Sequence, residues 1–154
     1  MKKYYLAYGS NLNTVQMSLR CPTARVMGTA ILEDYELVFK GSKTGAYLTV
    51  EQKQGSKVPV AVWSVGDSDE QALDYYEGYP KFYYKKEMTV TFTGIKSNKK
   101  RTRTAFMYIM HEDRPVGVPT FKYVQTCLDG YRIFNFDIAV LMQAVDYSIQ
   151  EATI

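Results

Sequence analysis

Only two cysteines, Cys21 and Cys127, occur in the 154 residues, with one histidine, His111, and one tryptophan, Trp63. Two distant cysteines with no CxxC pattern exclude a disulfide-stapled scaffold and a zinc ribbon. They read as reduced, buried thiols, so a cytoplasmic setting is expected. A single imidazole leaves no basis for a histidine-rich metal centre or a Cys-His nucleophile, and no metal is expected. No stretch approaches the ~18 apolar residues of a membrane span. The basic start, Met1-Lys2-Lys3-Tyr4, is not followed by the apolar core of a signal peptide. Charge of one sign is scarce as well: 19 Lys and Arg against 16 Asp and Glu leave a net +3, too mild by itself to argue for nucleic acid. Repeats, low-complexity tracts and linkers are absent, and residues 1–154 read as one domain.

Aromatic residues are abundant instead. Fourteen Tyr and seven Phe point to a β-rich fold with aromatic surfaces able to line a pocket. Residues 3–8 read as a strand, and Asn11 or Asn13 can cap a short helix reaching about Arg20. "ARVMGTAILEDYELVF" at 24–39 holds two apolar runs around Glu33-Asp34 and reads as a hairpin. "AYLTV" at 46–50 and "PVAVWSV" at 59–65 read as further strands, with Trp63 in the core. In "SDEQALDYYEGYP", Ser68 and Gln71 form a capping box, while Gly78 and Pro80 stop the helix. Residues 82–93 alternate, with Phe82, Tyr84, Met88, Val90 and Phe92 on one face and Tyr83 on the other; "RTRTAFMYIM" at 101–110 is the expected partner. A helix from Thr120 to a stop at Gly130 follows, with Cys127 in the core. A second spans Asp137 to Ser148, burying Ile138, Leu141, Met142 and Val145. Some seven strands and a few short helices without regular βαβ alternation argue for α+β around a curved or closed sheet.

Two places stand out chemically. "YGSNL" at 8–12 spends Gly9, Ser10 and Asn11 in succession between strand and helix. Glycine permits left-handed dihedrals, and successive N–H groups ahead of a helix cradle an anion or developing oxyanion. The spacing is not that of a nucleotide-binding loop or a serine-hydrolase elbow. The second place is Glu77, which borders the core-facing stripe at a helix C-terminus. The dipole there disfavours a carboxylate by roughly 0.3–1 kcal/mol, and partial burial adds a desolvation cost. Both raise its pKa toward the range of a useful base. An ordinary tight turn and a solvent-facing Glu77 are the plain alternatives. His111 lies in "HEDRP", which reads as an exposed loop, and the basic "KSNKKRTR" at 96–103 reads as a solvated hairpin turn.

Together, "YGSNL" at 8–12, "RCPTARVMGTAILEDYELVF", "AVWSV" ahead of a helix, "LDYYEGYPKFYYKKEMTV" and "PTFKYVQTCLDGYRIFNFD" resemble the γ-glutamylcyclotransferase-like (AIG2-like) family across nearly the whole chain. The resemblance implies a small mixed β-barrel with short peripheral helices and a cavity at one end. It implies a substrate loop over Tyr8, Gly9, Ser10, Asn11 and Leu12, a catalytic acid/base at Glu77, a pocket aromatic at Tyr83 or Tyr84, and a late tyrosine at Tyr123. Alternation favours Tyr84. Asn135 stands where the family pattern has Gly, and Asn is the commonest other residue at positive φ. The implied reaction closes a γ-glutamyl compound onto its own α-amine, releasing 5-oxoproline without metal, nucleotide or other cofactor. Its partner is a small γ-glutamyl molecule; neither nucleic acid nor a membrane is expected. A module of the same fold that binds a small carboxylate without turnover, and a basic interaction protein using 96–103, are the other readings.

Overall fold

The computed structural model describes residues 2–152. Five strands close a mixed barrel in the order β1-β3-β2-β4-β5: β1 is Lys3–Ala7, β2 Arg25–Lys40, β3 Tyr47–Val65, β4 Tyr83–Gly94 and β5 Lys100–Met110. Neighbours run antiparallel except at the closure, where β1 lies parallel to β5 through Tyr4↔Ala105 and Tyr5↔Phe106. Four helices surround it, α1 Thr14–Arg20, α2 Asp67–Glu77, α3 Phe121–Ile133 and α4 Ile138–Ala152. The α+β barrel inferred from sequence is therefore the observed architecture. Leu6, Val60, Val62 and Met107 are fully buried, and Trp63 and Cys127 join them in the core.

The expected hairpin at 24–39 does not form. β2 runs unbroken and pairs with β3 from Arg25↔Ser64 to Lys40↔Tyr47. Glu33-Asp34 is an irregularity within it: Asp34 takes φ 62° opposite Gly55 at φ 87°, and the Asp34 Oδ1 accepts the Gly55 N–H at 2.8 Å. The same device fuses the two apolar runs at 46–50 and 59–65 into one strand, so a local polar break became a bulge rather than a turn.

The helix starts also differ from expectation. α2 begins at Asp67, and Asp69, not Ser68, accepts the Gly66 N–H at 2.9 Å. Asp67, Asp69 and Glu70 then complement the dipole in the first turn. Its end is as read: Gly78 is left-handed at φ 64° and donates to the Asp74 carbonyl. Asn13 caps α1 through the Gln16 N–H, and Thr120 caps α3 through the Tyr123 N–H. Gly130 does not stop α3, which continues to Ile133; Asn135 turns the chain at φ 57°. On α4 the buried stripe is Leu141, Ala144 and Ser148, while Ile138 and Met142 are about 40% exposed. The helix is rotated from the expected face.

Among the described residues no helix is long and apolar enough to cross a membrane. The basic 96–103 segment spans the turn between β4 and β5 and is exposed.

Candidate active site

The 8–12 segment leaves β1 and winds into one 3-10 turn over Ser10–Leu12. Gly9 keeps a negative φ, −127°, so the left-handed elbow that glycine would permit is not used. Inside the turn the Leu12 N–H donates to the Gly9 carbonyl and the Asn13 N–H to the Ser10 carbonyl, both at 3.0 Å. The N–H groups of Ser10 and Asn11 lie ahead of any acceptor within so short a turn. The side chains bind the loop down instead. Asn11 Nδ2 donates to the Tyr5 hydroxyl at 2.9 Å and Arg20 donates to Asn11 Oδ1. The Ser10 Oγ pairs with the Tyr76 hydroxyl at 3.1 Å. Leu12 is fully buried in the core, and its N–H is already spent.

This loop forms one wall of a cavity of about 380 Å³, and Glu77 with Gly78 forms another. Tyr76, one residue before Glu77, is the bridge: its hydroxyl holds Ser10, and its ring carries the Arg20 guanidinium at 3.4 Å. Burial pushes the Glu77 carboxyl up to about 7, although the nearby Arg20 charge pulls it down. The phenols of Tyr5, Tyr8, Tyr83, Tyr108 and Tyr123 all have raised pKa values, chiefly through burial, and the Glu77 charge raises each further. The carboxylate and these five rings thus share one chamber.

Tyr8, Gly9, Ser10, Asn11, Glu77 and Tyr123 line the cavity; Leu12 and Tyr84 do not. The aromatic of this strand that does is Tyr83, 5% exposed, whose hydroxyl donates to the Leu48 carbonyl at 2.8 Å. The Leu48 N–H in turn donates to the Tyr123 hydroxyl at 3.2 Å. Tyr84 lies outside, donating to Glu112 at 2.5 Å beside His111. Alternation pointed the wrong way because the odd-numbered face at the start of β4 is covered as well: Tyr83 turns to the Leu48 carbonyl of β3, and Lys85 to Glu70 and Asp74 of α2. Tyr5, Tyr47, Tyr76, Tyr108 and Phe82 also line the cavity, and no spacing singled them out. The signal for them was compositional, in the tyrosine count.

Charge anchors α2, and with it Glu77, over the barrel. Lys85 Nζ meets Glu70 Oε2 at 2.7 Å and Asp74 Oδ1 at 2.8 Å, and Lys3 holds the other Glu70 oxygen at 2.9 Å. The Tyr108 hydroxyl donates to Asp74 Oδ1 at 2.6 Å, and the Tyr8 hydroxyl donates to the Tyr108 carbonyl at 2.6 Å. Lys85→Met removes the cation shared by Glu70 and Asp74, which are partly buried, and leaves them only Lys3 and the Tyr108 hydroxyl. A loss of about 1–3 kcal/mol in urea unfolding is expected, with Lys85→Arg retaining most of it. An unchanged midpoint in Lys85→Met would show that the cluster does not hold the helix.

Among the described residues no group of three or more His, Cys, Asp or Glu side chains is placed to hold a metal ion. His111 Nε2 instead faces the Pro80 carbonyl at 2.8 Å.

The sequence profile of the family described as gamma-glutamyl cyclotransferase, AIG2-like, matches residues 5–125. A gamma-glutamylcyclotransferase of Bos taurus is 33% identical over 128 residues, covering 78% of this chain and 66% of the relative. The Homo sapiens protein of the same name is 32% identical over 127 residues with the same coverage. The chain thus spans just under two thirds of the length of these relatives. Among solved structures, one described as gamma-glutamyl cyclotransferase superposes with TM-score 0.74 at 24% identity, covering 100% of this chain and 88% of that one. A human protein described as uncharacterized superposes with TM-score 0.73 at 26% identity, covering 99% and 88%. The chain belongs to the AIG2-like gamma-glutamyl cyclotransferase family.

Proposed function

We propose that this protein is a γ-glutamyl cyclotransferase, an enzyme acting on γ-glutamyl amino acids or amines and releasing 5-oxoproline. The observation that carries the reading is a half-buried carboxylate, Glu77, lining one cavity together with the Ser10–Asn11 turn, with its pKa raised to about 7. An α-ammonium cannot attack a carbonyl, so a base must first take a proton from it. Glu77 fills that role at neutral pH. The freed α-nitrogen then bonds to the γ-carbonyl carbon, closing a five-membered ring. Collapse of the tetrahedral adduct breaks the bond to the leaving nitrogen. Two protons pass from the α-nitrogen to the departing amine, which leaves as an ammonium ion, with Glu77 as the carrier.

The Ser10 and Asn11 N–H groups would bind the glutamyl carboxylate or the oxyanion. The hydroxyls of Tyr5, Tyr8, Tyr83 and Tyr108 are engaged with protein groups, so the chamber keeps its shape as charge moves. No cofactor is needed for this exchange of amides. A reducing, cytoplasmic setting suits the chain: Cys21 and Cys127 are free and buried, and burial pushes their thiols up to about 11 and about 12. Such thiols are inert core groups.

Mass-spectrometric detection of 5-oxoproline from γ-glutamyl amino acids, γ-glutamyl-ε-lysine and glutathione, with Glu77→Gln in parallel, tests the reading. Product from the wild type and none from the folded variant is expected. No product from any of them would leave a binding module for small carboxylates.

A further inference from the structure

We propose that the mouth of this cavity is a subsite for an aromatic ring, so that the preferred substrates are γ-glutamyl arylalkylamines whose leaving group carries no carboxylate. This rests on the cyclotransferase reading above and names the half of the substrate which that reading leaves open.

The cavity is graded in depth. At its floor Tyr5, Tyr8, Tyr83 and Tyr108 are each no more than 7% exposed. Toward solvent, Tyr47 is 47% exposed and Tyr75 80%. Tyr47 stands edge-on to Tyr123, with centroids 5.1 Å apart, and to Phe82 at 6.5 Å. Rings left open at a concave mouth expose apolar area that a flat, apolar partner would cover. The glutamyl half is short and its acyl carbon must sit at Glu77. The leaving amine is therefore the part that extends outward to Tyr47 and Tyr75.

Charge narrows the choice. None of the residues lining the cavity is Lys, Arg or His, and Glu77 is the one charged group among them. A carboxylate on the leaving group would find no counter-ion there and would be repelled by ionised Glu77. The Arg20 guanidinium is already stacked on Tyr76 and bound to Asn11. Arg114 lies 4.7 Å over the Phe82 ring but lines the adjacent groove with Lys81. A ring without an acid group satisfies both constraints.

The test compares kcat/KM for γ-glutamyl-phenethylamine, γ-glutamyl-propylamine and γ-glutamylphenylalanine. The aryl amine is somewhat less basic than the alkyl one. Because that difference is the same in every variant, the change of their ratio on altering the mouth reports contact rather than leaving-group chemistry. A preference of about fivefold or more for phenethylamine over propylamine is expected, the scale of one or two ring contacts. The phenylalanine conjugate should also be poorer than the phenethylamine one. In Tyr47→Leu, and in Tyr75→Ala, which alters a side chain too exposed to affect folding, the aryl-to-alkyl ratio should fall toward one, whatever the absolute rates. A wild-type ratio near one, a better phenylalanine conjugate, or a ratio unchanged in both variants would overturn the aromatic subsite while leaving the cyclotransferase reading intact. No turnover of any of the three would overturn that reading, and the subsite with it.

Discussion

Glu77→Gln is expected to lower turnover by about 10²–10⁴-fold and at the same time to make the folded protein harder to unfold above neutral pH. The first half follows from the loss of a proton carrier, which in general acid–base catalysis is worth that much. The second follows from linkage. A carboxyl titrates near 4.5 when exposed in the unfolded chain, and burial pushes Glu77 up to about 7 in the folded one. Between those values the unfolded state releases a proton that the folded state keeps, so stability falls as pH rises through this window. Above about pH 7 the folded protein carries the full cost of ionising a half-buried group, on the order of 3 kcal/mol as an upper bound. Below about pH 4.5 both states hold the proton and the cost disappears. Glutamine has the same shape and does not titrate.

Thermal melts of wild type and Glu77→Gln at pH 5 and pH 8 check this directly. The variant should gain several degrees relative to wild type at pH 8 and little at pH 5. In the wild type, kcat/KM should rise with pH through an apparent pKa near 7, because only the ionised carboxylate accepts the α-ammonium proton. A variant that melts earlier at pH 8 would mean that Glu77 is a structural residue satisfied by its surroundings. An activity profile flat from pH 5 to 8 would remove it as the base.

What could be read from the sequence depended on how local its cause was. Glu77 was visible because a carboxylate at a helix C-terminus beside Leu73 conflicts with both the dipole and burial, two effects confined to a few residues. Asn13, Thr120 and Gly78 were legible for the same reason, each a cap whose partner lies within one turn. Asp69 was not, because it serves two masters: the Gly66 N–H and, from the chain before β2, the Thr23 hydroxyl at 2.6 Å. Tyr83 was misjudged in favour of Tyr84 because alternation assumes that one face of β4 meets solvent, whereas Tyr83 reaches the Leu48 carbonyl of β3 and Lys85 meets Glu70 and Asp74 of α2. Glu33-Asp34 was taken for a hairpin turn because a polar break inside one strand looks like a turn until its distant partner, the Gly55 N–H, is known. The cavity's aromatic lining comes from β1, α2, β3, β4, β5 and α3 together, and no window of the chain holds that pattern.

Gly130→Ala should uncouple α3 from the substrate loop, at a cost to both stability and rate. By helix propensity alone the change is favourable by about 1 kcal/mol in a helix interior. Contact decides the other way. A Cβ at Gly130 would lie 2.5 Å from the Leu12 Cβ, 2.6 Å from the Leu12 carbonyl carbon and 2.8 Å from the Asn13 nitrogen. Two of those atoms are backbone and cannot rotate aside, so the helix or the turn must move, at about 1–3 kcal/mol or more for overpacking of this kind. The turn that would move contains the Ser10 and Asn11 N–H groups, and the helix carries Tyr123, whose hydroxyl holds Leu48. A misplacement near 1 Å at such positions is worth up to about 10² in rate. A fall of at least tenfold in kcat/KM is therefore expected, together with a lower urea midpoint. Loss of stability with full activity in the folded fraction would show that the turn holds its place without α3. Wild-type stability would show that the helix yields at no cost, and the close contact with Leu12 would then play no part in ordering the site.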